Sequence, residues 1–164
     1  MNSRFFMNKI EGNWIIQSTN YSLLKNTIST SINEVIWKEI QNVNNDIEII
    51  IKNIITKFSI NNISIYIIES SNHKRIKKFY KFFLYNEKIN KGSILKLNHT
   101  GNIVSKASFS YRNNQYFHIK SKYNDFDITE NVYFINPNLK IIKSVIKKNE
   151  TCIGISFSSE IRIN

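Results

Sequence analysis

The amino-acid sequence predicts an all-β fold, an antiparallel sandwich or barrel of short strands. Apolar residues alternate with period two more often than they recur at spacings of three and four, which is typical of half-buried strands. The strand-like segments follow one another without the intervening helical patterns that a parallel sheet requires. A length of 164 residues suits one domain, and 41% apolar and 13% aromatic content is enough for a buried core. We therefore treat residues 1–164 as a single domain.

Nine segments are predicted as strands because they are rich in Ile, Tyr, Phe, Ser or Thr and are bounded by polar turn candidates. In residues 115–123, for example, Phe117 and Ile119 fall on one face while His118 and Lys120 fall on the other. The predicted strands, in chain order, are residues 14–23, 47–58, 63–69, 94–97, 103–111, 115–123, 131–135, 139–146 and 152–163.

Two other segments carry helical spacing. Residues 3–10 predict a short helix with Ser3 as its N-cap, because Phe6, Met7 and Ile10 lie on one helical face. Residues 31–48 are ambiguous, since their apolar spacing fits a helix face and their β-branched content fits strands.

Composition and spacing exclude several classes of site. The single cysteine, Cys152, cannot form an internal disulfide, which fits a reducing compartment, and a small buried thiol is its expected role. The histidines, His73, His99 and His118, have no carboxylate or cysteine at ligand spacing, so no metal site is expected. There is no glycine-rich phosphate loop, no G-x-S-x-G and no H-E-x-x-H. No apolar stretch approaches the roughly 20 residues of a membrane span, and we expect neither a membrane association nor a secretory signal.

A basic segment, residues 73–81, interleaves lysines with aromatic residues and precedes Phe82 and Phe83. Such interleaving suits a surface that binds single-stranded nucleic acid. Lysine is abundant throughout this chain, with 23 Lys plus Arg against 12 Asp plus Glu and a net charge of +11. A solvated strand face whose aromatic residues turn into the core is therefore the expected structure, and no nucleic-acid partner is expected.

The last predicted strand has two chemically distinct faces. Its odd positions are nearly all apolar and are expected to pack, whereas its even positions are small or polar and end in Glu160 and Arg162. Inside a barrel, such a polar face leaves volume and orients a ligand. Outside it, the same residues form a solvated surface pair. The pattern by itself leaves both interpretations open.

Three blocks of the chain resemble the CpcS/CpeS family of phycobiliprotein lyases. Residues 130–144 read E-N-V-Y-F-I-N-P-N-L-K-I-I-K-S, where the family typically has E-x-I-W-F-x-N-P-N-L-R-x-R-x-S. Residues 157–162 read F-S-S-E-I-R and match the family's F-x-S-E-I-R. Near the start, Phe6 and the run G-N-W-I-I-Q-S-T at residues 12–19 resemble the family's first helix and its G-x-W-x-S-Q-R-T strand.

The resemblance implies a lipocalin-like or fatty-acid-binding-protein-like antiparallel barrel of about ten strands with a short N-terminal helix. It also implies that the protein binds a phycobilin substrate, such as phycocyanobilin or phycoerythrobilin, with no permanently bound cofactor. The phycobilin is then attached to a cysteine of a phycobiliprotein apo-subunit, and a related lyase subunit is a further partner to consider. With the Ile- and Lys-rich composition, the family implies the plastid stroma, or the cytoplasm of a cyanobacterium.

The resemblance assigns the candidate site residues. A phycobilin presents pyrrole N–H groups and two propionates, so its pocket needs a carboxylate, cations and aromatic walls. Glu130 matches the family's binding glutamate and is the expected catalytic residue. Strand parity makes it plausible that Glu130 shares an inner face with Lys140 and Ser144. The remaining candidates for bilin binding are Lys140 for a propionate, with Ser144, Trp14, Ser18, Glu160 and Arg162 in supporting roles.

The sequence departs from the family at three arginine positions, which here are Lys140, Ile142 and Ser18. Only the first keeps a positive charge, and it loses the bidentate fork of arginine. Candidate replacements for the lost cations are Lys143, Arg112 and Lys120. The losses keep a second hypothesis open, a lipocalin-like carrier of a bilin or another apolar ligand without transferase activity.

Overall fold

The computed structural model describes residues 10–40, 48–49, 52, 62–72, 75–86, 90–113 and 116–163. Ten antiparallel strands close into one barrel, in which each strand pairs with its neighbours in the chain and β1 pairs with β10. The strands are β1 (Gly12–Ser22), β2 (Thr27–Glu39), β3 (Asn62–Asn72), β4 (Arg75–Asn86), β5 (Lys91–Leu97), β6 (Ile103–Asn113), β7 (Tyr116–Tyr123), β8 (Phe126–Asn136), β9 (Leu139–Lys148) and β10 (Thr151–Ile163). The predicted all-β barrel of about ten strands is confirmed.

Eight of the nine predicted strands coincide with strands of the barrel. The prediction for residues 47–58 is wrong where the structure describes them, because Glu48, Ile49 and Lys52 are helical. The Lys52 ammonium lies 3.6 Å from the Glu48 carboxylate one helical turn away. The described part of the chain contains no helix long and apolar enough to cross a membrane.

The two predicted helical segments have different outcomes. In the ambiguous segment, residues 31–39 belong to β2, and residues 41–47 lie outside the described residues. The predicted helix at residues 3–10 also lies outside them, except for Ile10, which is buried in a turn.

The C-terminal half of strand β4, residues 82–85, is buried on both faces. Phe83 and Tyr85 face the barrel interior and belong to a core cluster with aromatic residues of β6 and β7. Phe82 and Leu84 face outward and form a second cluster with residues of β3 and β5, against which Ile40 packs. The two aromatic residues that follow the basic segment are therefore both buried as expected, Phe83 inside the barrel and Phe82 in the cluster on its outer side.

The prediction of which face of β10 is buried is wrong. Its odd, apolar residues were expected to pack, yet Ile155, Phe157 and Ile161 are 47%, 46% and 52% exposed. Its even residues face the interior, where Gly154 and Glu160 are buried. The small and polar side chains of β10 thus face an interior whose core cluster is rich in aromatic rings from the other strands. The alternative of a solvated pair is therefore wrong for Glu160.

Candidate functional site

A cavity of about 220 Å³ lies inside the barrel, against the inner faces of β8, β9 and β10. Three candidate residues, Glu130, Lys140 and Glu160, line it, and apolar and aromatic side chains form most of the remaining wall. The strand register explains this convergence, because Lys140 lies opposite both Phe134 of β8 and Glu160 of β10. The other residues of the cavity wall are Ile10, Trp37, Lys81, Phe83, Phe117, Ile119, Val132, Phe134 and Ile142.

Lys140 and Glu160 form a buried ion pair. The Lys140 ammonium lies 2.5 Å from the Glu160 carboxylate, and the two residues are only 4% and 6% exposed. Burial lowers the pKa of Lys140, and the adjacent Glu160 carboxylate opposes that shift. The ammonium also lies 3.7 Å from the ring centroid of Trp14 and 5.7 Å from that of Trp37. Lys140, which stands where the family has arginine, is therefore a cation whose charge is balanced by the Glu160 carboxylate.

Glu130 lies half-buried on β8 and lines the cavity, and none of the described cations lies within 4.0 Å of its carboxylate. Its cross-strand neighbours are Ile119 on β7 and Ser144 on β9. The Ser144 hydroxyl donates a hydrogen bond to the Glu130 carboxylate at 3.5 Å. Because this single long bond leaves most of the carboxylate's acceptor capacity unused, Glu130 is able to accept hydrogen bonds from ligand N–H groups.

Trp14 and Arg162 lie behind Lys140 and support it. Trp14 is fully buried and its indole N–H donates to the backbone oxygen of Ile10 at 2.9 Å. The Arg162 guanidinium lies 4.8 Å from the centroid of the Trp14 ring, so the ring contacts two cations. Gly12 permits this packing, because a Cβ there would lie 3.2 Å from the Arg162 side chain. Trp14 and Arg162 therefore pack behind the cavity wall and are not among the residues that line it.

Ser18 lies on the inner face of β1 but does not reach the cavity. Its hydroxyl is hydrogen-bonded to that of Ser158, its cross-strand neighbour on β10, at 2.7 Å. Neither serine is part of the cavity wall described above. The structure therefore places Ser18 on the expected face and pairs its polar group within the protein.

The three candidate replacement cations are wrong. Arg112, Lys120 and Lys143 are exposed, and each is adjacent in its strand to an inward-facing residue. Because successive side chains alternate between the two faces of a strand, Lys120 and Lys143 point away from the cavity, and Arg112, which lies at an irregularity of the β6–β7 pairing, is exposed to solvent. The Lys143 ammonium instead lies 5.7 Å from the ring of Tyr133 on the outer wall.

Sequence reasoning missed Lys81 and Trp37, both of which line the cavity. Lys81 stands in the basic segment that was expected to be a solvated face, yet burial lowers its pKa to about 8. The carboxylates of Glu130 and Glu160 oppose this shift. The sequence did contain a signal for Lys81. Phe79, Lys81 and Phe83 alternate along β4, so the three side chains lie on the same face of the strand.

The remaining reactive residues are peripheral. The Cys152 thiol is half-buried and lies 3.7 Å from the Gly154 backbone oxygen, next to an irregularity in the β9–β10 pairing. The His118 ring lies 2.7 Å from the Asn131 amide oxygen. No cluster of residues suited to hold a metal ion occurs within the described ranges.

Comparison with known proteins gives concordant results. A model of the family described as CpeS-like protein matches residues 2–163. A chromophore lyase CpcS/CpeS homolog of Gracilaria tenuistipitata var. liui is 28% identical over 163 residues, with 99% of each chain covered. A second one, of Porphyra purpurea, is 26% identical over 160 residues, with 96% of each chain covered. The solved structure of the S-type phycobiliprotein lyase CpeS from Guillardia theta superposes with a TM-score of 0.74 at 16% identity, covering 100% of this chain and 94% of that one.

Proposed function

The chain belongs to the family of CpeS-like proteins, and on that premise we propose that it is a phycobiliprotein lyase. In this proposal the barrel binds a phycobilin and presents it to a cysteine thiol of a phycobiliprotein apo-subunit. The observation that carries the proposal is the cavity in which Glu130 stands among aromatic walls on the strand that bears the family-like motif. An apolar cavity with few polar groups suits a flexible tetrapyrrole with pyrrole N–H groups.

Glu130 is the proposed catalytic residue. Its carboxylate accepts hydrogen bonds from the pyrrole N–H groups and shares a proton with them, which makes the ethylidene carbon of the bilin more electrophilic. The sulfur of the acceptor thiolate then forms a bond to that carbon, the exocyclic double bond is lost, and the tetrapyrrole takes up a proton. Ser144 orients the carboxylate through its hydrogen bond. Much of the rate advantage comes from holding one extended bilin conformation.

Lys140 is the proposed contact for one propionate. Its ammonium is held by Glu160 on one side and by the Trp14 ring on the other, with Arg162 behind that ring. A propionate that approaches Lys140 shares the ammonium with Glu160, so the contact adds orientation more than affinity. Trp14, Glu160 and Arg162 thus act by positioning Lys140, and Ser18 supports the inner face through Ser158.

The partners follow from the same premise. The relatives are from red algae, and we place this protein in the plastid stroma, with phycocyanobilin or phycoerythrobilin as its substrate. The net charge of +11 favours an acidic phycobiliprotein subunit as the acceptor.

The test has two stages. Absorbance and fluorescence titrations with phycocyanobilin and with phycoerythrobilin should show a saturable, red-shifted and sharpened band. Mixing the loaded protein with apo-phycobiliprotein should then leave pigment on the acceptor in a denaturing gel. Glu130→Gln should abolish transfer, whereas the outward-facing control Lys120→Gln should leave it unchanged. Full transfer by Glu130→Gln would remove the assigned role of Glu130, and no saturable shift with either pigment would refute the function.

A second candidate function is a bilin carrier without transferase activity. It is favoured by Ile142, which lines the cavity at a position where the family has arginine, and by the Ser18–Ser158 hydrogen bond at another. The gel assay separates the two functions, because a carrier binds the pigment reversibly and leaves no adduct.

A further inference from the structure

A second cavity lies inside the barrel and meets the first. Its volume is about 240 Å³, and it shares Lys81, Ile119 and Glu130 with the first cavity. Lys96 and small or hydroxyl-bearing residues of β6 and β7 form much of its remaining wall. A ligand that contacts Glu130 therefore stands at the junction of two chambers and can extend into either.

Lys81 and Lys96 face each other at this junction. They are cross-strand neighbours on β4 and β5, and both line the second cavity. Like charges placed directly opposite one another destabilise a sheet. Burial, assisted by the positive charge of Lys96, lowers the pKa of Lys81 to about 8. Burial also lowers the pKa of Lys96, with an added effect of Lys77.

The contacts of these two lysines differ from those of Lys140. Among the described residues, no carboxylate oxygen lies within 4.0 Å of either ammonium, whereas Lys140 is paired with Glu160. The Lys81 ammonium lies 4.9 Å from the ring centroid of Trp37 and 5.8 Å from that of Phe83, and the Lys96 ammonium lies 4.0 Å from that of Phe79. Aromatic rings stabilise a desolvated cation only in part. The positive charges of Lys81 and Lys96 are therefore not balanced by the described carboxylates, and an anion can bind between the two ammonium groups.

We infer that Lys81 and Lys96 form an anion subsite that binds a carboxylate group of the ligand contacted by Glu130. For the ligand of the proposed function, on which this inference rests, that group is a propionate. The propionates of a bilin are carried by its two inner rings, so they extend from the same part of the molecule as the pyrrole N–H groups. A carboxylate bound there replaces the repulsion between the two lysines with two charge-assisted contacts.

This subsite also accounts for the lost arginines. The positions Ser18 and Ile142 carry no charge, whereas β4 and β5 each contribute one lysine to the wall of the second cavity. The subsite is lysine-based, so it recognises a carboxylate as a point charge and tolerates more than one approach angle. We therefore expect selection for an acidic ligand over its ester rather than selection of one exact pose.

The experiment compares phycocyanobilin with its dimethyl ester, and cis-parinaric acid with its methyl ester, by fluorescence titration. The wild-type protein should bind each acid more tightly than its ester. Lys81→Met should weaken binding of the acids by about tenfold or more and leave the esters unchanged, because a charge-assisted contact is lost. Lys81→Arg should retain the preference for the acids, and Lys120→Met is the exposed control. Thermal unfolding verifies that each variant is folded.

The outcomes separate the two proposals. Equal weakening of acid and ester by Lys81→Met, or no weakening of either, would overturn the anion subsite. If the wild-type protein binds neither form of the pigment, the proposed lyase function fails. In that case cis-parinaric acid still decides the subsite, because a preference for the acid that Lys81→Met removes supports it and the lack of that preference refutes it.

Discussion

Removal of the Glu160 charge should destabilise the protein strongly, and more so at neutral than at alkaline pH. In Glu160→Gln the Lys140 ammonium stays buried beside the Trp14 ring but loses the carboxylate at 2.5 Å. Because Lys140 is only 4% exposed, its charge cannot be solvated by water without local rearrangement. Breaking a buried pair in this way costs about 3–5 kcal/mol, a large part of a total stability of about 5–15 kcal/mol.

The pH dependence follows from the pKa of Lys140. Burial already lowers that pKa in the native protein, and the loss of Glu160 removes the main opposing effect. The unfolded chain then binds more protons than the folded variant over the range between the depressed pKa and the ordinary value of 10.5. The stability of Glu160→Gln should therefore rise with pH through that range and approach that of the wild type.

Urea unfolding at several pH values measures both effects, and the double variant Glu160→Leu, Lys140→Met provides the control. With both charges removed, the double variant should be nearly as stable as the wild type. A loss below about 1 kcal/mol in Glu160→Gln at neutral pH, or an equal loss in a Lys140→Met background, would refute the reasoning.

Three further predictions concern the site, the packing and the partner. Binding of cis-parinaric acid should be constant between about pH 6 and pH 8, where the carboxyl group is ionised and Lys81 is protonated, and should weaken by up to about tenfold per pH unit above that range. The reason is that Lys81, which faces Glu130, Glu160, Lys96 and Lys140, loses its proton near pH 8, and a bound carboxylate favours the protonated form. Lys81→Met should abolish this dependence in fluorescence titrations. Gly92→Ala should lower the free energy of unfolding by about 3 kcal/mol, since its Cβ would lie 2.3 Å from the Leu84 backbone oxygen and 2.6 Å from the Phe109 ring. Gly154→Ala, whose Cβ would have its nearest atom at 3.3 Å, should lower it less when both variants are compared by thermal denaturation. Raising the salt concentration should slow association with an acidic acceptor subunit in stopped-flow measurements, because the net charge of +11 is screened, and a salt-independent rate would exclude electrostatic recruitment.

Alternation along the strands was enough to place the main candidates on a shared face. Glu130, Lys140 and Ser144 have the same parity on two paired strands, and the turn between them preserves it. The structure accordingly brings the Ser144 hydroxyl to Glu130 and the Lys140 ammonium into the same cavity. The same rule excludes Lys143, which is adjacent to Ile142 and therefore faces the other way.

Composition and local pattern were less reliable where distant parts of the chain decide burial. The β-branched residues near Ile49 predicted a strand, and the described residues there are helical. The apolar face of β10 predicted a packed surface, and Phe157 on that face is 46% exposed. Local composition therefore did not determine the secondary structure near Ile49, and the apolar pattern of β10 did not determine which of its faces is buried.

The sequence by itself determined an all-β fold of alternating strands, and the resemblance to the family implied that the strands form a barrel. Alternation also predicted that Glu130 and Lys140 share a face, because successive side chains of a strand point to opposite sides. Only the tertiary structure decided which face of each strand is the interior. Lys81 and Glu160 are the clearest cases, since each carries a charge that is usual on a protein surface and yet lines the cavity in the barrel. Burial depends on the strands that close around a residue, and in this barrel β1 meets β10 from the opposite end of the chain.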